Sequence, residues 1–127
     1  MKEIKDVIGF IGAGNMATAL ISGLVNGSHS PSKIVASSPE DAHLDRLSKD
    51  HKIKTTKDNL DVVGLADIVI LAVKPNMIET VLEEIKEKIN ENGPLIVSIA
   101  AGVKIEKIET SINSPARIIR AMPNTPA

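Results

Sequence analysis

Short apolar runs alternate with amphipathic stretches along the whole chain. Residues 7–11 are apolar on both faces, the pattern of a strand buried in a parallel sheet. The stretch 15–26 carries Met16, Leu20, Gly23 and Leu24 at helical spacing, with Gly27 placed to end the helix as its C′ residue. A loop through Ser28, His29, Ser30 and Pro31 leads to a second strand at 33–37. Ser38-Pro39-Glu40-Asp41 reads as N-cap, first-position proline and acidic first turn of a helix reaching about Lys49. A short strand at 53–56 and a brief helical piece at 59–65 follow. The longest apolar run, 68–73, is a fourth strand. The helix expected over 76–89 puts Ile78, Val81, Leu82, Ile85 and Ile89 on one face and pairs Glu84 with Lys88 on the other. Asn92-Gly93-Pro94 stops it. A fifth strand at 95–99, a helix with the stripe Ile105, Ile108 and Ile112, and a sixth strand at 117–121 complete the pattern.

Strands alternating with helices specify an α/β fold, a parallel sheet covered on both faces. Right-handed crossovers, together with a glycine turn of dinucleotide-binding type after the first strand, predict a Rossmann-type doubly wound sheet with strand order 3-2-1-4-5-6. Ligands of such sheets bind at the carboxyl ends of the strands. The functional rim is therefore expected at 12–15, 37–39, 72–75 and 99–102, with 122–127 as the next rim loop. The sequence ends inside that loop. Residues 1–127 accordingly read as one dinucleotide-binding domain, truncated after the sixth strand and expected to be the first part of a longer enzyme.

The first rim loop is the most informative stretch of the chain, although its motif alone is shared by many dehydrogenases. An apolar run enters Gly12-Ala13-Gly14-Asn15-Met16-Ala17, a Gly-x-Gly-x-x-Ala turn, and a helix leaves it. Gly12 permits the tight turn, Gly14 leaves no side chain between backbone and phosphate, and Ala17 lets the helix pack close to the strand. The helix N-terminus then offers N–H groups and partial positive charge to a pyrophosphate. The plainer alternative is a glycine-rich turn without a ligand.

Composition narrows the partners. A net charge of −1 gives no electrostatic reason to expect nucleic acid or an anionic membrane. Absence of cysteine removes disulfides and thiol chemistry, and fits a reducing compartment. With one Phe and no Trp or Tyr, stacking platforms for bases are lacking. The first six residues mix charges of both signs, and the longest apolar run is too short to span a bilayer, so a cytoplasmic location is expected. His29, His43 and His51 lack metal-ligand spacing, so no metal is expected. Met16 and Met77 read as packing residues.

Four stretches in this order resemble the nucleotide-binding domain of the pyrroline-5-carboxylate reductases: 9–17, then Leu71-Ala72-Val73-Lys74-Pro75, then 98–103, and Arg120-Ala121-Met122-Pro123-Asn124-Thr125-Pro126. The resemblance runs from about Val7 to the last residue. It implies reduction of the imine 1-pyrroline-5-carboxylate to proline with NADPH or NADH. It also implies a helical second domain that forms homo-oligomers and supplies much of the substrate site. Nothing in these residues corresponds to that domain, so the chain alone is expected to be inactive, and either to self-associate through the edge strand at 117–121 or to have a disordered C-terminal segment from about Met122.

The resemblance assigns cofactor contacts to Ile11, Gly12, Ala13, Gly14, Asn15 and Met16 at the pyrophosphate turn. Ser37, Ser38 and Asn59 fall at the adenosine end. Ala72, Val73, Lys74, Pro75, Ile99, Ala100 and Ala101 fall toward the nicotinamide. Each carries a second reading from its residues alone. Ser38 doubles as a helix cap, Asn59 as a cap of the next helix, Lys74 as a solvated lysine, and 100–102 as a tight turn needing only Gly102. Asn124 and Thr125 are the polar candidates facing substrate; no catalytic acid is identified. The second strand ends without Asp or Glu, the residue that bonds a free ribose 2′-hydroxyl, so NADP is favoured over NAD. No arginine adjoins, however, and Glu40 and Asp41 follow. Two other readings remain: a beta-hydroxyacid dehydrogenase-type domain, whose catalytic lysine would lie on a later helix, and a noncatalytic nucleotide-binding module.

Overall fold

The computed structural model describes residues 6–89, 93–112 and 116–121. The strands are Ile8–Ile11 (β1), Ile34–Ser37 (β2), Lys54–Thr56 (β3), Ile68–Leu71 (β4), Leu95–Ser98 (β5) and Ile118–Arg120 (β6). They form one sheet in the order β3-β2-β1-β4-β5-β6, with every pairing parallel. The expected strand order and Rossmann-type class are therefore found. The connecting helices are Asn15–Asn26 (α1), Asp41–His51 (α2), Asn59–Leu65 (α3), Ile78–Ile85 (α4) and Ile105–Ile112 (α5).

Alternation along β1 divides the core. Ile8 and Phe10 point into one layer with Ala17 and Ile21 of α1 and Leu47 of α2. Ile11 points into the other, with Val62 of α3, the Ile78-Val81-Leu82-Ile85 stripe of α4 and Ile108 and Ile112 of α5. Gly9 faces that second layer: a Cβ there would stand 2.5 Å from Val62 Cγ1 and 2.9 Å from Ala66 Cβ. Its missing side chain is what brings α3 down onto β1.

Several local expectations change in the folded chain. The buried face of α1 is Ala17 and Ile21, rather than Met16, Leu20, Gly23 and Leu24. The helix covers β1 through its small residue, which turns Leu20, Gly23 and Leu24 toward β4. There they line an open apolar groove of about 420 Å³ with the half-buried Ile68 and Ile70. Gly27 is the C-cap of α1 with φ −84°, and the left-handed residue is Ser28 at φ 79°. The reason is a Schellman closure one residue later, in which His29 N–H donates to Leu24 O (2.9 Å) and Ser28 N–H to Val25 O (3.2 Å).

The helix expected over 76–89 is a composite. A 3-10 turn at Pro75–Met77 leads into α4 and another at Lys86–Lys88 leads out. Glu83 pairs with Lys86 (3.0 Å) and Glu79 with Lys107 of α5 (3.0 Å), while Glu84 turns to Asn59 instead of Lys88. The fourth strand ends at Leu71, two residues early; Ala72 N–H still donates to Ile11 O (2.9 Å) before the chain turns into the rim loop. Among the described residues, no helix is long and apolar enough to cross a membrane.

Replacing Gly9 by Ala forces α3 off the sheet or moves β1. We expect a loss of about 1–3 kcal/mol in unfolding free energy, read from urea denaturation with an unchanged slope.

Candidate functional site

The carboxyl ends of the strands stand level with one another. Thr56 pairs with Ser37, Ser37 with Ile11, Ile11 with Leu71, Leu71 with Ser98, and Ser98 with Arg120, and each is the last residue of its strand. Every loop that follows therefore starts from the same line. The ladder continues just past it: Gly12 N–H donates to Ser37 O (3.0 Å), Ala72 N–H to Ile11 O (2.9 Å), and Ser38 N–H to Thr56 O (3.2 Å). β1 lies between β2 and β4, so chain connections diverge on either side of it. This is the point where open parallel sheets leave a crevice.

Hydroxyls at the strand ends set the direction of the loops. Ser38, Thr56 and Ser98 each accept a hydrogen bond from the N–H two residues on, at Glu40 (3.1 Å), Asp58 (3.1 Å) and Ala100 (3.4 Å). Each folds its loop sharply at the rim. Ser38 is thus a turn former and not the N-cap of α2, whose cap position is Glu40 and whose first residue is Asp41. Likewise Asn59 is not the cap of α3. Asp58 takes that role, accepting from Leu60 N–H at 2.9 Å. That leaves the Asn59 side chain free for other work. It accepts the Ser37 hydroxyl proton at Oδ1 (2.6 Å), and its Nδ2 donates to Glu84 Oε2 (3.5 Å).

The glycine turn behaves as its two glycines require. Gly12 has φ +108°, and a Cβ there would stand 2.6 Å from Ala72 O and 3.2 Å from Val73 Cγ1. Gly14 is different. A Cβ there would meet nothing within 4 Å, so the backbone faces open space at the head of α1. No side chain caps that helix, whose N-cap residue is Gly14 itself. An uncapped helix start behind a side-chain-free backbone is the arrangement an anion needs. The residues present therefore fit a bound pyrophosphate.

Beside this cradle lies a crevice of about 260 Å³. Ile11, Gly12, Ser37, Ser38, Asn59 and Val73 line it, six of the residues named from the sequence. Ala13, Gly14, Asn15 and Met16 continue from Gly12 into α1 without lining it. Ala72, Lys74 and Pro75 follow β4, with Lys74 exposed, while Ile99, Ala100 and Ala101 follow β5. They share the rim line with the crevice. Asn124 and Thr125 lie outside the described residues.

The crevice also contains residues that sequence reasoning passed over: Lys57, Met77, Val81 and Glu84. Met77 is 43% exposed, so it is a rim residue and not a packing one. Lys57 carried one signal, its position directly after a strand end. Val81 and Glu84 come from a helix far along the chain and carried none. Among the described residues, no group of three or more His, Cys, Asp or Glu could hold a metal ion.

Sheet order, level rim, left-handed Gly12 and open Gly14 together define a Rossmann-type fold. The chain belongs to the family described as NADP oxidoreductase, coenzyme F420-dependent, whose pattern matches residues 7–102. It is 38% identical over 120 residues to pyrroline-5-carboxylate reductase of Vibrio alginolyticus, a match covering 94% of this chain and 44% of that protein. The solved pyrroline-5-carboxylate reductase of Coxiella burnetii superposes with a TM-score of 0.93 at 39% identity, over 97% of this chain and 46% of that one. The Plasmodium falciparum pyrroline carboxylate reductase, solved with NADP bound, gives 0.84 at 28% identity, over 98% and 45%. The resemblance read from the sequence is found again in these matches. The chain spans less than half the length of the relatives it matches.

The two glycines separate fold from site. Gly12→Ala is expected to lower stability by about 2 kcal/mol or more, through φ strain and the Ala72 carbonyl, whereas Gly14→Ala stays within about 0.5 kcal/mol of the unaltered chain. Paired thermal and urea unfolding of the two variants checks this.

Proposed function

We propose that the chain binds NADPH and is the cofactor part of a reductase that converts the cyclic imine 1-pyrroline-5-carboxylate to proline. The observation that carries the reading is the open backbone at Gly14, set at the head of an uncapped α1. Similarity to proteins named for that imine supports the substrate, and the NADP-bound Plasmodium neighbour supports the cofactor. The proposal assigns these 127 residues the cofactor part as a single domain, acting in the cytoplasm. Homo-oligomers are proposed for the whole reductase. Pairing through the β6 edge, where Ile119 is 49% exposed, is proposed for this chain by itself.

In this reading Ile11, Gly12, Ala13, Gly14, Asn15 and Met16 hold the pyrophosphate, chiefly through backbone N–H groups. Ser38 meets the adenosine ribose or its 2′-phosphate. Its oxygen already accepts from Glu40 N–H, so its hydroxyl hydrogen is what it offers a ligand. Ser37 and Asn59 wall the adenosine end of the site, with the Ser37 hydroxyl proton given to Asn59 at 2.6 Å. Ala72, Val73, Lys74 and Pro75, with Ile99, Ala100 and Ala101, flank the nicotinamide half with small or backbone surfaces.

When bound, NADPH supplies the hydride for the imine carbon. An iminium carbon is already electrophilic, so the chain's task is to hold the dinucleotide in one orientation and exclude water. A rim of glycine, alanine and serine suits that task, since backbone contacts orient without adding competing charge. Asn124 and Thr125 are proposed to face the substrate.

Gly14→Val fills the open space at the head of α1. We expect it to abolish NADPH binding in isothermal titration while circular dichroism stays native. Undiminished NADPH affinity in that folded variant would remove the cofactor assignment. Added imine is expected to produce no NADPH oxidation by this chain alone, which an absorbance assay reads directly. Turnover would place the whole substrate site within these residues.

A further inference from the structure

The crevice beside the glycine turn has an unusual balance of charge. Lys57 and Glu84 are the charged residues that line it, and the chain nearby is acidic: Glu40, Asp41 and Asp58. Glu84 is engaged with Asn59, and Glu40 contacts His43 Nε2 at 3.0 Å. Lys57 is the one cation lining the crevice among the described residues, and its Nζ lies 2.8 Å from Asp41 Oδ1.

The backbone fixes where Lys57 stands. Its neighbour Thr56 is the last residue of β3, level with Ser37, and accepts Ser38 N–H at its carbonyl (3.2 Å). The Thr56 hydroxyl donates to Asp61 (2.7 Å) and accepts from Asp58 N–H (3.1 Å), which holds the turn on the far side of Lys57. The ammonium is thereby presented across the Ser38-Pro39 loop toward the first residue of α2. Both partners of its ion pair are well exposed, at 61% for Lys57 and 72% for Asp41. Water screens such a pair, and little is lost when the lysine turns from the carboxylate to another anion.

We propose that Lys57 sets the cofactor preference of this rim, receiving the 2′-phosphate of NADP, while Asp41 holds the lysine at the loop and competes with that phosphate for it. This rests on the dinucleotide reading above and deepens it. A 2′-phosphate carries roughly −1.5 to −2 charge, as phosphate monoesters do near neutral pH. Without Lys57 it would meet Glu84 and Asp41 with no opposing charge. With Lys57 it gains a charge-assisted bond next to the Ser38 hydroxyl. The missing arginine at the end of β2 is thus replaced by a lysine from the end of the neighbouring strand, which arrives by sheet pairing and not by sequence adjacency.

The test is isothermal titration of the 127-residue chain with NADPH and with NADH, at low and at physiological salt. The same titrations are made on Lys57→Ala, Lys57→Arg and Asp41→Asn, with circular dichroism to confirm each fold. Lys57→Ala is expected to weaken NADPH about ten-fold or more and leave NADH within about two-fold. Lys57→Arg keeps most of the NADPH affinity. Asp41→Asn tightens NADPH about two- to three-fold, since it removes the competing carboxylate. Salt weakens NADPH binding to the unaltered chain more than NADH binding, and that difference disappears in Lys57→Ala. Equal effects of Lys57→Ala on both dinucleotides, or none on either, would overturn the assignment of Lys57. Weaker NADPH binding by Asp41→Asn would overturn the competition. If the unaltered chain binds neither dinucleotide, the underlying cofactor reading fails, an outcome distinct from the other two.

Discussion

Gly12 lies so close to β4 that a Cβ on it would stand 2.6 Å from the carbonyl oxygen of Ala72. This approach of two backbones at the centre of the sheet governs the geometry of the rim. β1 and β4 are far apart in sequence and meet because the chain crosses over after β3. Their ladder runs on into the loops through Ala72 N–H and Ile11 O, while Gly12 N–H turns the other way to Ser37 O. One left-handed residue thus stitches the loops after β1, β2 and β4 together. Any side chain at Gly12 would drive those loops apart, along with the crevice between them.

A second device works at smaller scale. Ser38, Thr56 and Ser98 stand at or just beyond strand ends, and each bonds the N–H two residues on. Such local bonds compete with continued strand pairing and so end the strands level. Ser37 and Ser98 are almost wholly buried, and their hydroxyls have partners within the chain. These two hydroxyls are therefore held by the chain itself. The chemistry of the rim rests on oriented backbone groups, with few formal charges at the crevice itself.

The two faces of the sheet are not equivalent. The α3, α4 and α5 layer closes over β4 and β5 with a continuous apolar core. On the opposite face α1 covers β1 and leaves Ile68 and Ile70 half exposed. The amphipathic stripe of α4 was plain in the sequence because burial on a single face produces it. The orientation of α1 was not, because both Ala17-Ile21 and Leu20-Leu24 are apolar at helical spacing, and only packing chooses between them.

Much of this molecule follows from its sequence. Alternation of apolar runs with amphipathic stretches determined the element order, and right-handed crossovers together with the glycine turn after the first strand pointed to the strand order. The Gly12-x-Gly14 turn was equally legible, because its conformation depends on the residues within it. Tertiary structure decided what depends on strands meeting side by side. Ser38 and Asn59 each looked like a helix cap, yet Glu40 and Asp58 hold those positions, and Asn59 instead receives Ser37 from another strand. Lys57 joins Ser38 because β2 and β3 pair in register, and Glu84 joins Asn59 because α4 packs on α3. Local spacing encodes turns and faces; the company a side chain keeps across the sheet is set by register and packing, which no single stretch of sequence contains.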